Sequence, residues 1–263
     1  MLDQILATKR LEIEEAKVRL PFEELKRRLA GHLAERGFRT TLTQPGTLQL
    51  IAELKRKSPS RGMLRERFDP VSLAQQLEEA GAAALSVVTD EKFFGGHLDF
   101  LKDVKAFVQV PVLRKDFILD PYQVYEAAWH QADAVLLIVQ ALTEEELQQC
   151  LIAADALGMD ALVEVHNHEE LKIALGAGAG VIGINHRDLK TFTVDTEVAA
   201  RLVPHIPKGK CIVAESGIQT RHDLERLKAL GVHAVLIGEA LMTAPDPAAK
   251  VRELFDGLEP SRP

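Results

Sequence analysis

Short apolar runs alternate with helical patterns along the chain from about residue 49 onward. Each run is rich in Val, Ile and Leu and is short enough to form one buried β-strand. The eight runs occupy residues 50–55, 84–89, 111–116, 134–139, 161–166, 181–186, 211–216 and 234–239. The pattern therefore predicts eight strands separated by helices.

Capping residues support the helices between these runs. Asp69 precedes Pro70, and proline is favoured at the first position of a helix. Thr143 and Glu146 have the spacing of a capping box, in which each side chain satisfies a backbone N–H of the other residue. Regular alternation of strands and helices predicts a parallel sheet. Eight units in 263 residues favour an α/β fold closed as a single (β/α)8 TIM barrel, with an open doubly wound sheet as the alternative.

Residues 1–48 precede the first strand and contain two helical patterns, at 2–20 and 21–31. We expect them to form an N-terminal helical extension packed on a barrel of residues 49–263. A lid over the barrel mouth, a plug at its bottom and a helix on its side all fit the sequence.

Composition narrows the class of protein. The net charge of −7 disfavours general nucleic-acid binding, which needs a basic face. No stretch approaches the roughly 20 apolar residues that would cross a membrane. Cys150 and Cys211 are too isolated to suggest a disulfide framework or a metal site. We therefore expect a cytoplasmic protein that binds a small molecule, with neither nucleic acid nor membrane as a partner.

Polar residues appear where the predicted strands end, which is where the active sites of such barrels lie. Because side chains alternate across a strand, Glu53 and Lys55 share one face of the first strand, and Lys115, Glu164 and Glu215 have the matching parity on three others. Asn185 and Ser216 also stand at strand ends. Single salt bridges at the rim could explain each residue alone, but five charges of matching parity favour a catalytic cluster. A buried Glu53 should pair with Lys55 or Lys115, because an unpaired buried carboxylate is costly.

A phosphate-binding site is predicted beside this cluster. Gly217 follows the seventh strand and Gly238 ends the eighth, the region where many TIM barrels bind phosphate through backbone N–H groups. Ser58 and Arg187 could add side-chain donors. Glu239 could contribute its backbone N–H, but its carboxylate would have to turn away from the anion.

Three other features are weaker. The run 178–183, GAGVIG, matches G-x-G-x-x-G but leads from a helix into a strand, which is the reverse of a dinucleotide site. The HNH sequence at 166–168 has no cysteine partner within the motif and is a poor metal motif. Cys211 begins a strand and so lies at the wrong end of a barrel for catalysis. We predict no metal site.

The strand-end motifs together resemble those of the indole-3-glycerol-phosphate synthase family of tryptophan biosynthesis. The matching segments are IAELKRKSPSRG, LSVVTDEKFFGG, PVLRKDF, ADAVLLIV, LVEVH, IGINHRDL, VAESGI and LIGEALM, in order from about residue 45 to 245. The resemblance implies a lyase that converts 1-(2-carboxyphenylamino)-1-deoxyribulose 5-phosphate into indole-3-glycerol phosphate, carbon dioxide and water. No cofactor is implied.

The resemblance also implies roles for individual residues. Lys115 would be the main general acid and protonate the ketone oxygen, Lys55 would hold the substrate carboxylate and take part in proton transfer, and Glu164 would act in ring closure or dehydration. The residues implied to orient these groups or contact the substrate are Glu53, Asn185, Glu215 and Ser216, and those implied to line the anthranilate pocket are Phe94 and Phe117. How the acid and base steps divide among the two lysines, Glu53 and Glu164 stays open.

Two rival functions remain at this point. A barrel like phosphoribosylanthranilate isomerase would share the fold and the phosphate site, but it typically uses a cysteine and an aspartate, and the end of the first strand here offers Glu53 and Lys55 instead. A non-catalytic sugar-phosphate sensor would have lost its catalytic groups, whereas Lys115 and Glu164 are present. We expect a monomer, with a weak dimer as the alternative.

Overall fold

The computed structural model describes residues 1–189 and 191–258. Within them, eight parallel strands close into a barrel in which each strand pairs with its neighbours in the chain and the last pairs with the first. The strands are β1 (Gln49–Leu54), β2 (Ala84–Val88), β3 (Val112–Lys115), β4 (Ala134–Ile138), β5 (Asp160–Val165), β6 (Val181–Asn185), β7 (Cys211–Glu215) and β8 (Ala234–Ile237). The predicted (β/α)8 barrel is therefore confirmed, and each predicted strand lies within two residues of an observed one.

Three helices precede β1, and the others follow the strands on the outside of the barrel. They are α1 (Leu2–Arg19), α2 (Phe22–Arg28), α3 (Phe38–Leu42), α4 (Pro70–Glu79), α5 (Phe100–Lys105), α6 (Pro121–Trp129), α7 (Glu144–Ala156), α8 (His168–Gly176), α9 (Val198–Leu202), α10 (Arg221–Ala229), α11 (Glu239–Met242) and α12 (Pro247–Phe255). The Asp69 side chain accepts hydrogen bonds from the N–H groups of Val71 and Ser72, and Thr143 and Glu146 form both bonds of the capping box. The capping signals in the sequence are thus confirmed.

The N-terminal helices occupy three different places. Helix α1 reaches the segments that follow β2 and β3, where Lys9 forms ion pairs with Asp90 and Asp116. Helix α2 packs on the side of the barrel through Phe22, whose ring meets Tyr122 of α6 edge to face. Helix α3, which the sequence analysis did not predict, lies near the start of β2.

Helix α3 closes the bottom of the barrel. Its Phe38 and Leu42 are fully buried, in one apolar cluster with Cys211 and Ala234, which begin β7 and β8. The backbone N–H of Arg39 donates to Asp160 Oδ2 at the start of β5 (2.8 Å). Treating residues 1–48 as an extension packed on the barrel of residues 49–263 remains our proposal, and these contacts support it.

Two apolar cores hold the barrel. One fills the inside with side chains such as Ile51, Leu113, Leu162 and Val213, and the other lies between the strands and the surrounding helices. The inward side chains change from apolar to charged toward the strand ends. The inner core therefore ends where a polar cavity begins.

Candidate active site

Lys115, at the end of β3, lies among three buried carboxylates. Its Nζ is 3.4 Å from Glu215 Oε2, 3.7 Å from Glu164 Oε2 and 3.8 Å from Glu53 Oε2. The three glutamates come from β7, β5 and β1 and point inward from strands around the barrel. Because side chains alternate between the two faces of a strand, the inward positions bring the Lys115 ammonium and the three glutamate carboxylates together.

Glu53 is shared between the two lysines. Lys55 Nζ donates to Glu53 Oε1 at 2.6 Å, which is tighter than the contact of Glu53 with Lys115. Glycines make room for the acids: a Cβ on Gly238 would collide with Glu53, and one on Gly183 would collide with Glu215. These glycines let carboxylates fit inside a barrel that is otherwise packed with apolar side chains.

The charged groups in the cluster shift one another's pKa values. Burial would lower the pKa of the Lys115 ammonium, but the surrounding carboxylates outweigh burial and raise that pKa above its usual value. Burial would raise the pKa of Glu53, but the two lysines lower it. Burial, reinforced by Glu164 and Glu53, raises the pKa of Glu215 to about 7 against the pull of Lys115. The cluster therefore combines a firmly protonated lysine with an acid that gives up its proton near neutral pH.

The cluster forms the floor of a cavity of about 930 Å³, including its open mouth. One wall is apolar, with the rings of Phe94 and Phe117 6.1 Å apart between centroids, and Leu136, Ile138 and Leu236 add apolar side chains elsewhere in the lining. Asp90 holds the Phe94 segment by accepting hydrogen bonds from the N–H groups of Phe93 and Phe94 at 2.8 and 3.1 Å. An aromatic ring could lie against this wall with its polar substituents toward the lysines.

Another part of the cavity lining carries hydroxyl and guanidinium groups. Ser58 and Ser60 line it from a short hairpin, Lys57–Ser58 paired with Gly62–Met63. Arg187 Nη2 and Arg61 Nη2 both contact the Glu239 carboxylate, at 3.2 and 3.0 Å. Glu239 thus sits on the arginines and does not turn away from them, so an anion bound here would compete with its carboxylate.

Ser216 and Asn185 shape the strand ends. Ser216 has a φ of 66°, in the left-handed region that residues other than glycine rarely adopt. Asn185 Oδ1 accepts the backbone N–H of Arg187 at 2.9 Å and so fixes the loop that carries this arginine. Strained backbone of the Ser216 kind is concentrated at functional sites.

The structure brings the predicted site residues together with one exception. All of them line the cavity except Gly217, which lies in a separate depression beside His186 and Thr196. Sequence reasoning missed Leu189 and Phe192, which also line the cavity but lie in a loop without strand periodicity. It also missed Leu136 and Leu236, although their alternation with outward-facing neighbours was a usable signal that they point into the barrel.

In residues 1–189 and 191–258 no group of three His, Cys, Asp or Glu side chains is arranged to hold a metal ion.

Fold and site define a class: a (β/α)8-barrel enzyme with a lysine–carboxylate centre at the mouth. Among solved structures, 3-hexulose-6-phosphate synthase from Salmonella typhimurium matches with a TM-score of 0.61 and 16% identity, over 79% of this chain and 96% of that one. At that identity the likeness concerns the fold alone.

Sequence comparison identifies the family. The family model for indole-3-glycerol phosphate synthase matches residues 2–254. Proteins of that name from Roseiflexus castenholzii and from Roseiflexus sp. strain RS-1 are 47% and 45% identical, over 97% and 98% of this chain and the same shares of theirs. The chain therefore belongs to the indole-3-glycerol phosphate synthase family, whose members are carboxy-lyases of tryptophan biosynthesis. Among the described residues no helix is long and apolar enough to cross a membrane.

Proposed function

We propose that the cavity at the barrel mouth binds 1-(2-carboxyphenylamino)-1-deoxyribulose 5-phosphate and converts it into indole-3-glycerol phosphate, carbon dioxide and water. The position of Lys115 among three carboxylates carries the proposal. The anthranilate ring lies against Phe94 and Phe117, its carboxylate faces Lys55, and the ketone oxygen faces Lys115.

Ring closure needs a proton at the ketone oxygen. As the aromatic carbon attacks, the oxygen becomes an alkoxide, which is far more basic than the ketone. The raised pKa of Lys115 keeps it charged between turnovers, and only the developing alkoxide is basic enough to take its proton. The proton transfer is therefore most favourable in the transition state, where stabilisation increases the rate.

The later steps restore aromaticity. Loss of carbon dioxide rearomatises the benzene ring, and loss of the hydroxyl then forms the pyrrole double bond. The leaving hydroxyl needs a proton, and a second proton must be removed from the ring system. Glu164 gives and takes these protons in our proposal, which its burial, at 1% exposed, and its contact with Lys115 support.

The phosphate binds on the side of Ser58, Arg187 and Gly238. Gly238 has no side chain to block an approach to the backbone, and Arg187 supplies charge once Glu239 releases it. Gly217 lies outside this cavity lining, and its contact with the phosphate stays a prediction.

We further propose that the protein works as a cytoplasmic monomer. One chain supplies both lysines and all three glutamates of the cluster, which supports a site that works without a second copy. Cys150 and Cys211 are buried free thiols, as is common in a reducing compartment. Light scattering of the purified protein would measure its mass in solution.

The proposal predicts which product signals are lost when Lys115 is changed. Carbon dioxide leaves after ring closure and the indole forms only after dehydration, so the two signals separate the steps. In Lys115→Met we expect carbon dioxide release and indole fluorescence to fall together, by at least ~100-fold. Carbon dioxide release at the wild-type rate without indole would contradict a role for Lys115 in ring closure.

A further inference from the structure

His166 follows the end of β5, two residues after Glu164, and is not used by the reaction as described above. Its Nε2 is 3.5 Å from Glu164 Oε1. Both atoms are buried, and neither has a hydrogen-bond partner within the described part of the chain. Two buried, unsatisfied atoms that face each other are unusual, because leaving them unpaired is costly.

Glu170 fixes the other side of the imidazole. Its Oε2 is 2.9 Å from His166 Nδ1 and also accepts the backbone N–H of His166 at 2.8 Å. Asn167 caps α8 and donates to Glu170 Oε1 at 2.7 Å, which pins this carboxylate at the first turn of the helix. The ring is therefore oriented with its free nitrogen toward Glu164.

We propose that His166 donates a proton to Glu164 during turnover and takes a proton back from it before the next turnover. In the resting site His166 is an imidazolium between two carboxylates, with Nδ1–H bonded to Glu170 and Nε2–H directed at Glu164. When dehydration begins, the Nε2 proton moves to Glu164 Oε1, and Glu164 protonates the departing hydroxyl. The proton released as the pyrrole double bond forms returns through Glu164 to Nε2, so no proton is gained or lost by the pair.

The surrounding charges favour this protonated state. The groups that face the ring are Glu164 on β5, which ends just before His166, Glu170 on α8 and Glu215 on β7. Burial would lower the pKa of His166, but these three carboxylates outweigh burial and raise it. The imidazolium is thus populated at neutral pH, and the proton is available to Glu164.

The inference rests on the proposed acid–base role of Glu164 and deepens it. It predicts that His166→Gln keeps its KM but loses at least ~10-fold in kcat, with indole formation slowed more than carbon dioxide release. It also predicts that added imidazole restores part of the activity of His166→Ala. His168→Gln is the matched control, because His168 belongs to the same HNH sequence but is exposed and meets the ring of His205 edge to face.

Further measurements separate a failure of the proposed role of His166 from a failure of the proposed role of Glu164. NMR of the His166 ring should show that Glu170→Gln lowers its pKa, and in wild-type protein kcat should fall as pH rises through that pKa. A wild-type kcat and pH profile in His166→Gln, together with an impaired Glu164→Gln, would overturn the role of His166 alone. Wild-type turnover in Glu164→Gln would overturn the assignment of Glu164, and the proton store with it.

Discussion

Lys115 at the barrel mouth and Lys105 at the opposite end are both buried beside carboxylates, but they are held in opposite ways. Lys105 Nζ lies 2.5 Å from both oxygens of Asp133, and Asp133 also accepts the backbone N–H groups of Val112 and Arg36. Lys115 has three carboxylates around it, and none is closer than 3.4 Å. The Lys105–Asp133 pair has a full set of close partners, whereas the Lys115 ammonium is surrounded by carboxylates but forms no short ion pair with them.

The difference matches the two tasks. Asp133 precedes β4 and ties it to the start of β3, so its full set of partners fixes the bottom of the barrel. Lys115 must exchange partners when a substrate arrives, and a short ion pair would have to be broken first. Burial prevails at Lys105 and lowers its pKa, whereas the surplus of acids raises that of Lys115. A saturated buried pair thus indicates a structural role, and an unsaturated cluster indicates chemistry.

Of the effects expected at Gly238, at Glu215 and at the arginines, the largest should come from filling the space beside Glu53. In Gly238→Ala the new methyl group collides with the Glu53 side chain and pushes it from the lysines. We expect kcat to fall roughly 10- to 100-fold, because small displacements in an active site are costly. Steady-state kinetics on folded protein would measure the effect.

Gly176→Ala is the control for that experiment. Nothing lies within 4 Å of the added methyl group, and the residue ends helix α8. It should leave both turnover and stability nearly unchanged. Equal losses in the two variants would show that the space beside Glu53 is not special.

Replacing Glu215 tests how the neighbouring charges shift its pKa, because that shift makes the stability of the protein depend on pH. The Glu215 carboxyl has an ordinary pKa of 4.5, raised to about 7 in the folded protein. The folded state therefore keeps a proton that the unfolded chain has released, and this contribution to stability is fully present below pH 4.5 and is lost as pH rises to about 7. The free energy of unfolding of wild-type protein, relative to Glu215→Gln, should fall across this window by at most about 1.4 kcal/mol per pH unit. Urea unfolding at several pH values measures it, and a constant difference would contradict the assignment.

A smaller effect is expected at the arginines. Inorganic phosphate should raise the melting temperature of the wild type, because it binds only the native state. In Glu239→Gln, Arg61 and Arg187 lose their competing carboxylate, and phosphate should stabilise this variant more strongly. If high phosphate shifts neither melting temperature, the predicted anion site on this side of the cavity is wrong.

The sequence predicted what strand geometry controls. Apolar runs located the eight strands, and the two-residue period placed Glu53, Lys115, Glu164 and Glu215 on the inward face. We expected Glu53 to pair with Lys55 or Lys115, and its carboxylate contacts both lysines. These features follow from backbone geometry, which a single sequence reveals through its pattern.

Features set by loops and by contacts distant in sequence could not be predicted in this way. Helix α3 is five residues long and mostly polar apart from its two buried ends, so it lacks a helical period. Phe192 reaches the cavity from a loop at a φ of 60°. Gly238 was predicted as a phosphate contact, and only the packed barrel shows that it also makes room for Glu53. His166 was judged only as a metal ligand, because the orientation of its ring depends on the contact with Glu170 of α8.

The measurement that tests this account most directly compares Lys115→Met with Lys105→Met. Both kcat and the free energy of unfolding are measured for each variant. Lys105→Met strands a buried carboxylate and should cost ~3–5 kcal/mol of stability, while its folded fraction keeps normal turnover. Lys115→Met should lose at least ~100-fold in kcat and less stability, because its cavity is open to water and Glu215 can take up a proton. Near-normal turnover in Lys115→Met, or a loss of kcat in folded Lys105→Met as large as that at Lys115, would contradict the account.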